Sequence, residues 1–269
     1  MPAFNIAAGA ELLDALTAIS MAAAAAIRSA PAEGKVRIKA DGSPVTAADE
    51  AAEAVIREGL TRLAPALPII SEEQAENERP ALRDVDYVLV DPLDGTRDFI
   101  AGRDEYTVNI AVMAAGRPIL GVIAAPALGR LWRGIVGRGA ERMEFSAQRA
   151  SAPQAVRTRP HPQGELVVMV SRSHLDARTQ DFVAGLANAR RVACGSSLKF
   201  CRVADGTADL YPRLAPTRDW DVAAGHAILA AAGGSVRDPE GAALIYDSPD
   251  LRIPAFIASG DSAPGALKG

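Results

Sequence analysis

Asp91-Pro92-Leu93-Asp94-Gly95-Thr96 brings two carboxylates, a glycine and a hydroxyl into one short run. The apolar stretch before it, Tyr87-Val88-Leu89-Val90, reads as a buried strand. Proline has no N–H to give a sheet, so a turn is expected at Pro92. Asp91 then ends the strand, Asp94 follows one turn later, and both carboxylates point into one pocket. Gly95 allows close backbone approach, and Thr96 sets a hydroxyl beside free N–H groups. Two hard oxygen ligands next to a phosphate-sized nest describe a magnesium-dependent phosphoryl site. The plain alternative is an Asx turn followed by a helix cap.

Two more acidic positions lie at the ends of expected elements. Glu72 follows a short apolar run, and Asp221 opens the small-residue stretch Trp220-Asp221-Val222-Ala223-Ala224-Gly225-His226. Any one of these carboxylates alone is best read as solvated surface, or for Asp221 as a helix-end charge favoured by the dipole. Clustered carboxylates raise each other's pKa unless a cation sits between them. Taken together, they favour metal binding.

The second half holds basic and hydroxyl residues in Ser171-Arg172-Ser173-His174, Gly195-Ser196-Ser197-Leu198-Lys199 and Leu210-Tyr211-Pro212-Arg213. Each is an ordinary loop or helix start by itself; jointly they make a cationic wall for a phosphorylated substrate. Other chemistries are excluded. The glycines at 134, 137 and 139 have the wrong spacing for a dinucleotide fingerprint. No Gly-x-Ser-x-Gly elbow accompanies Ser171 or Ser173. His161, His174 and His226 are not at metal-ligand spacing.

The elements that must position these residues follow from periodicity and punctuation. Helices are expected over 7–30, 47–63, 175–188, 197–205 and 220–232, the second opened by the capping box Thr46-x-x-Asp49. Strands are expected over 35–39, 68–71, 87–91, 107–113, 119–124, 131–136, 166–171, 208–211 and 253–259, with a hairpin at 114–117. A turn is expected at 41–44 and an acidic segment at 74–84. Residues 138–163, polar and broken by prolines, read as a connection between an N-terminal half (1–150) and a C-terminal half (151–269). No internal repeat is present. Mixed elements with a central meander indicate a layered α/β or α+β architecture.

Composition narrows the partners. The chain has 269 residues, 49% of them hydrophobic but only 4% aromatic, so its core is aliphatic. Its formal charge of −4 gives no global field for a nucleic acid polymer. The two cysteines, Cys194 and Cys201, suit neither a zinc site nor a disulfide framework and read as reduced thiols of a cytoplasmic protein. The apolar run 21–27 is preceded by Glu11 and Asp14, which argues against a signal peptide. No stretch reaches the ~18–20 uninterrupted apolar residues of an integral membrane span.

Ser71-Glu72-Glu73, the run from Asp91 to Thr96, and Trp220 to Gly225 together resemble the three signatures of the lithium-sensitive, magnesium-dependent inositol monophosphatase superfamily. The resemblance covers nearly the whole chain. The segment 41–49 and the three basic segments of the second half are similar to its 3′(2′),5′-bisphosphate nucleotidase branch. Arg97-Asp98-Phe99 stands where that branch usually carries Lys-Glu-Phe, a charge-preserving departure. The resemblance implies a layered α/β/α/β/α sandwich that removes the 3′-phosphate of 3′-phosphoadenosine 5′-phosphate in the service of sulfur assimilation. It implies two or three Mg2+ ions held by Glu72, Asp91, Asp94, Asp221 and the Leu93 carbonyl, with Asp49 and Thr96 orienting or deprotonating the attacking water. Gly95 and Thr96 N–H groups would hold the scissile phosphate. Lys199 and Arg213 would meet the other phosphate or the ribose, with Ser173, His174 and Ser197 lining the adenosine side. The rivals are an inositol-1-phosphate or sugar-bisphosphate phosphatase and a non-catalytic nucleotide-binding regulator on the same fold. A cytoplasmic location is implied, and a peripheral contact at the inner face of the membrane is left open.

Overall fold

The computed structural model describes residues 6–30, 36–39, 42–74, 85–146, 149–160, 164–246 and 248–260. The chain opens with α1 (Ile6–Ser29), then the two-residue strands β1 (Arg37–Ile38) and β2 (Pro44–Val45), which pair antiparallel. α2 (Ala47–Leu63) starts where expected. Thr46 accepts from Ala48 N–H while the Asp49 carboxylate reaches back to Thr46 N–H, a complete capping box. β3 (Ile69–Ser71) and β4 (Tyr87–Asp94) lie parallel, and α3 (Thr96–Ile100) is a single short turn of helix after them. The antiparallel strands β5 (Thr107–Ala114), β6 (Arg117–Ala125), β7 (Arg130–Ile135), β8 (Gly139–Glu144) and β9 (Gln154–Val156) complete a seven-stranded sheet in the order β3-β4-β5-β6-β7-β8-β9.

The rest of the chain builds a second sheet. β10 (Leu166–Ser171), α4 (Ala177–Ala184), β11 (Ala189–Cys194), α5 (Leu198–Ala204), β12 (Leu210–Arg213), β13 (Thr217–Arg218), α6 (Asp219–Ala231), β14 (Ser235–Arg237), β15 (Arg252–Ile253) and β16 (Phe256–Ser259) follow in turn. Five of these strands form a sheet in the order β11-β10-β12-β16-β14, and β13 pairs with β15.

The period-2 alternation of the strands assigns the layers. In β4, Val88 and Val90 face α1 and α2, whereas Tyr87 and Leu89 face the opposite cluster with α5 and α6. In β10, Val167 and Met169 join that same central cluster, whereas Leu166, Val168 and Val170 pack outward with Val183 of α4. The result is helix pair, sheet, helix pair, sheet, helix: the α/β/α/β/α sandwich that the motifs implied. The central helix lies directly on the first sheet. A Cβ on Gly121 of β6 would sit 2.3 Å from the Ala224 carbonyl oxygen of α6, so only glycine permits this approach. α1 has an apolar window, Gly9–Ser29, long and apolar enough by composition to cross a membrane. Its Leu13, Leu16, Ala23, Ala24 and Ile27 are instead buried among the residues of α2 and the first sheet.

Several expectations change. Residues 138–163 contain β8 and β9 of the first sheet, so this stretch is not simply a connection. The chain does not leave the sheet at Pro92, because β4 runs on to Asp94 through a register shift. The helix expected over 175–188 stops at Ala184, and the edge strand β11, exposed at Arg190 and Arg191, follows. The strand expected over 253–259 is two strands separated by Pro254. Asp41, most of the acidic segment 74–84, His161 and the tail beyond residue 260 lie outside the described residues.

Candidate metal and phosphate site

The bulge in β4 decides where the acidic residues point. In a regular strand, residues three apart face opposite sides. Here Asp91 pairs with Asn109 and Asp94 with Thr107, so β4 carries one extra residue between the two pairs. That residue places both carboxylates on one face, the face carrying α5 and α6. Pro92 falls inside the bulge, where its missing N–H costs no ladder bond.

Glu72 arrives from the neighbouring parallel strand, anchored by its N–H on the Val90 carbonyl at 3.1 Å. Asp221 arrives from the first turn of α6. Its Oδ2 accepts from Arg218 N–H at 3.2 Å and from the Thr217 hydroxyl. One carboxylate oxygen from each of Glu72, Asp91 and Asp221 lies within 4.8 Å of the other two. Asp94 extends the cluster, accepting from the Asn109 amide at 3.4 Å and from the Ser197 N–H.

Electrostatics favours a cation among these groups. Burial pushes the Asp91 carboxyl well above its ordinary range, and Glu72, Asp94 and Asp221 push it further. Burial, chiefly, pushes Glu72 to about 7 and Asp94 to about 6, with Asp221 adding to both. Asp91 Oδ1 accepts from Leu93 N–H at 3.1 Å, but the buried Oδ2 has no hydrogen-bond partner. A fully buried, orphaned carboxylate oxygen beside two further carboxylates fits a hard divalent cation. The donor set therefore fits the metal that the motifs implied.

Three elements bring Asp49 and Thr96 together. Asp49, 1% exposed, uses Oδ2 for the α2 cap and offers Oδ1 to the Thr96 hydroxyl at 3.0 Å. The same hydroxyl lies 3.1 Å from the Leu93 carbonyl. Gly95 holds φ +93°, and this left-handed turn starts α3 with the Thr96 side chain facing Asp49. A Cβ on Gly95 would meet the Glu105 carbonyl at 3.1 Å.

Carboxylates and cations share one cleft of about 250 Å³. Its lining includes Glu72, Asp91, Leu93, Asp94, Gly95, Thr96 and Asp221, together with Ser173, His174, Ser197, Lys199 and Arg213. The last five differ in what they have free. Arg213 donates to the Pro216 carbonyl at 3.4 Å and is hydrogen-bonded to Tyr211, while its buried Nε has no partner. His174 is held neutral by burial and by the nearby Arg213 and Arg97 cations. Ser197 is engaged inside the protein, its hydroxyl 2.7 Å from both Asn109 Oδ1 and Thr107 Oγ1. Lys199 is 2% exposed and donates to the Ser196 carbonyl and, at 3.3 Å, to Cys194. Its ammonium also stacks 5.1 Å from the Tyr211 ring centroid.

Sequence reasoning missed three participants. Asn109 lies mid-strand and reads as ordinary; only the pairing with Asp91 brings it to Asp94. Arg97 is recognisable as a departure from the family pattern and lines the cleft. Lys39 reads as one charge on an edge strand, yet it contacts Glu72 and Glu73, more than thirty residues away in the chain.

Comparisons with known proteins agree with this geometry. The family profile "Inositol monophosphatase family" matches residues 9–265. The 3′(2′),5′-bisphosphate nucleotidase CysQ of Shigella flexneri is 46% identical over 208 residues, covering 77% of this chain and 81% of that protein. The protein of the same name from Escherichia coli K12 is 45% identical over 213 residues, with the same coverage. Among solved structures, CysQ from Bacteroides thetaiotaomicron, a bacterial member of the inositol monophosphatase family, superposes with a TM-score of 0.78 at 31% identity. That match covers 94% of this chain and 98% of the other. An inositol monophosphatase from Anabaena (Nostoc) sp. PCC 7120 gives 0.75 at 25% identity, over 96% and 94% of the two chains.

Proposed function

This chain belongs to the inositol monophosphatase family, and from that premise we propose that it hydrolyses the 3′-phosphate of 3′-phosphoadenosine 5′-phosphate to AMP and phosphate. The observation that carries the reading is one cleft lined both by Glu72, Asp91, Asp94 and Asp221 and by Arg213, His174 and Arg97. A substrate with one phosphate to cleave and another to hold needs both sets of residues. The bisphosphate nucleotidase name carried by the CysQ relatives supports the same substrate class. The family is metal-dependent, and we take Mg2+, two or three ions, as the metal held by Glu72, Asp91, Asp94, Asp221 and the Leu93 carbonyl. When bound, it would lower the pKa of coordinated water and neutralise the phosphoryl charge.

The chain's own groups do the rest. Asp49 accepts the Thr96 proton, which aims the hydroxyl oxygen's lone pairs at the attacking water. Water's proton passes through Thr96 to Asp49, since a hydroxyl alone has too high a pKa to act as base. The water oxygen bonds to phosphorus, the P–O3′ bond breaks, and O3′ takes a proton from solvent. Gly95 and Thr96 N–H groups hold the scissile phosphate. Lys199 and Arg213 meet the 5′-phosphate or ribose, with Ser173, His174 and Ser197 along the adenosine side. On this reading, residues 1–150 supply most metal ligands, and residues 151–269 supply Asp221 and the substrate contacts. The enzyme serves sulfur assimilation from the cytoplasm.

Product analysis tests the proposal. With Mg2+, chromatography should show 3′-phosphoadenosine 5′-phosphate converted to AMP. Accumulation of adenosine 3′-phosphate would mean that the nucleotide lies the other way round in the cleft.

A further inference from the structure

Lys39 takes no part in the scheme above, yet its ammonium sits on the carboxylate cluster. It leaves the β1–β2 hairpin and donates to Glu72 Oε1 at 2.9 Å and Glu73 Oε1 at 2.6 Å. Its side chain is 20% exposed, well below a surface lysine's usual freedom. The nearby Lys199 is a different case, because its ammonium is engaged by backbone carbonyls. Arg213 and Arg97 line the same cleft, where the proposed function sets them toward substrate. Among the described residues, Lys39 is therefore the cation bonded directly to an expected metal ligand.

A magnesium ion binds carboxylate oxygen at ~2.0–2.1 Å and demands near-ideal geometry. An ammonium already bonded to the same carboxylate repels that ion and takes up one of its lone pairs. We propose that Lys39 is a tethered counter-cation that competes with divalent metal for Glu72. In the metal-free protein it offsets the repulsion among Glu72, Glu73, Asp91 and Asp221. On loading, it gives up Glu72 and keeps Glu73, which has no place in the expected ligand set. Lys39 then sets how tightly the pocket takes metal, without touching substrate. The hairpin that carries it also carries Ser43 and Pro44 of the cleft wall, so the exchange is coupled to the mouth of the site.

The inference rests on Glu72 being a metal ligand, and titration calorimetry with Mg2+ or Mn2+ separates the two ideas. Glu72→Gln should weaken binding; if it does not, the metal-site reading fails and this inference with it. Lys39→Met should bind metal about tenfold more tightly than wild type, and Lys39→Arg, which keeps the charge, should stay within about twofold. The metal-free Lys39→Met protein should also melt lower, and gain more on loading, than wild type. Were Lys39 instead arranging the ligands for metal, Lys39→Met would bind more weakly. Weaker or unchanged affinity, with Glu72 confirmed as a ligand, overturns this inference alone.

Discussion

Replacing Asp91 by Asn should move stability and activity in opposite directions. The Asp91 carboxyl is fully buried, faces three other carboxylates and has a folded-state pKa well above its ordinary value. For an acid shifted upward, the stability contribution is present below the unfolded pKa and lost as pH rises through the folded one. At neutral pH the buried, upward-shifted carboxyl therefore opposes folding of the metal-free protein. Asn cannot ionise. Its Oδ1 keeps the 3.1 Å bond from Leu93 N–H, and its amide takes the place of the orphaned Oδ2 as a donor toward Glu72 or Asp221. Without the ionisable group, the metal-free variant should melt higher than wild type in chelator at neutral pH. Its metal-induced stabilisation should largely vanish, and turnover should fall at least ~100-fold, about 2.7 kcal/mol of barrier. Thermal melts in chelator and in Mg2+, with turnover on the same samples, read all three. A metal-free variant that melts lower than wild type would refute the electrostatic argument. A folded variant with near-normal turnover would remove Asp91 from the metal site.

In chelator, the wild-type Tm should fall as pH rises between the ordinary carboxylate range and about 7, because Glu72 rises to about 7 and Asp94 to about 6. Saturating Mg2+ should abolish that fall, and melts across pH with and without metal check it. Gly121→Ala should destabilise the fold by about 3 kcal/mol, since its Cβ would lie 2.3 Å from a helix carbonyl that cannot swing aside; chemical denaturation measures this. Arg213→Ala should cost about 10- to 100-fold in kcat/KM on the nucleotide bisphosphate and much less on a small phosphomonoester. Equal losses on both would place Arg213 in general structure.

The chemistry was more legible than the geometry that delivers it. Glu72 and Asp221 at element ends, a glycine for close backbone approach at position 95 and the Thr46 capping box are local signals, and each lies where expected. The bulge at Pro92 was not legible. Proline's missing N–H argued for a turn, and only the pairing of β4 with β5 shows that the strand absorbs it and swings Asp94 onto the Asp91 face. β11 escaped notice because an edge strand with Arg190 and Arg191 exposed has no apolar alternation to display. Long-range polar contacts left no trace either. The reach of Lys39 to Glu72, and the Ser197 hydroxyl bonded to Asn109, depend on how separate layers meet.

The most direct test is phosphate release from 3′-phosphoadenosine 5′-phosphate and from inositol 1-phosphate, each with Mg2+ and with chelator. Release mainly from the nucleotide, abolished by chelator, is the expected result and joins both sets of cleft residues to one reaction. Preference for inositol 1-phosphate, or release that persists in chelator, would contradict it.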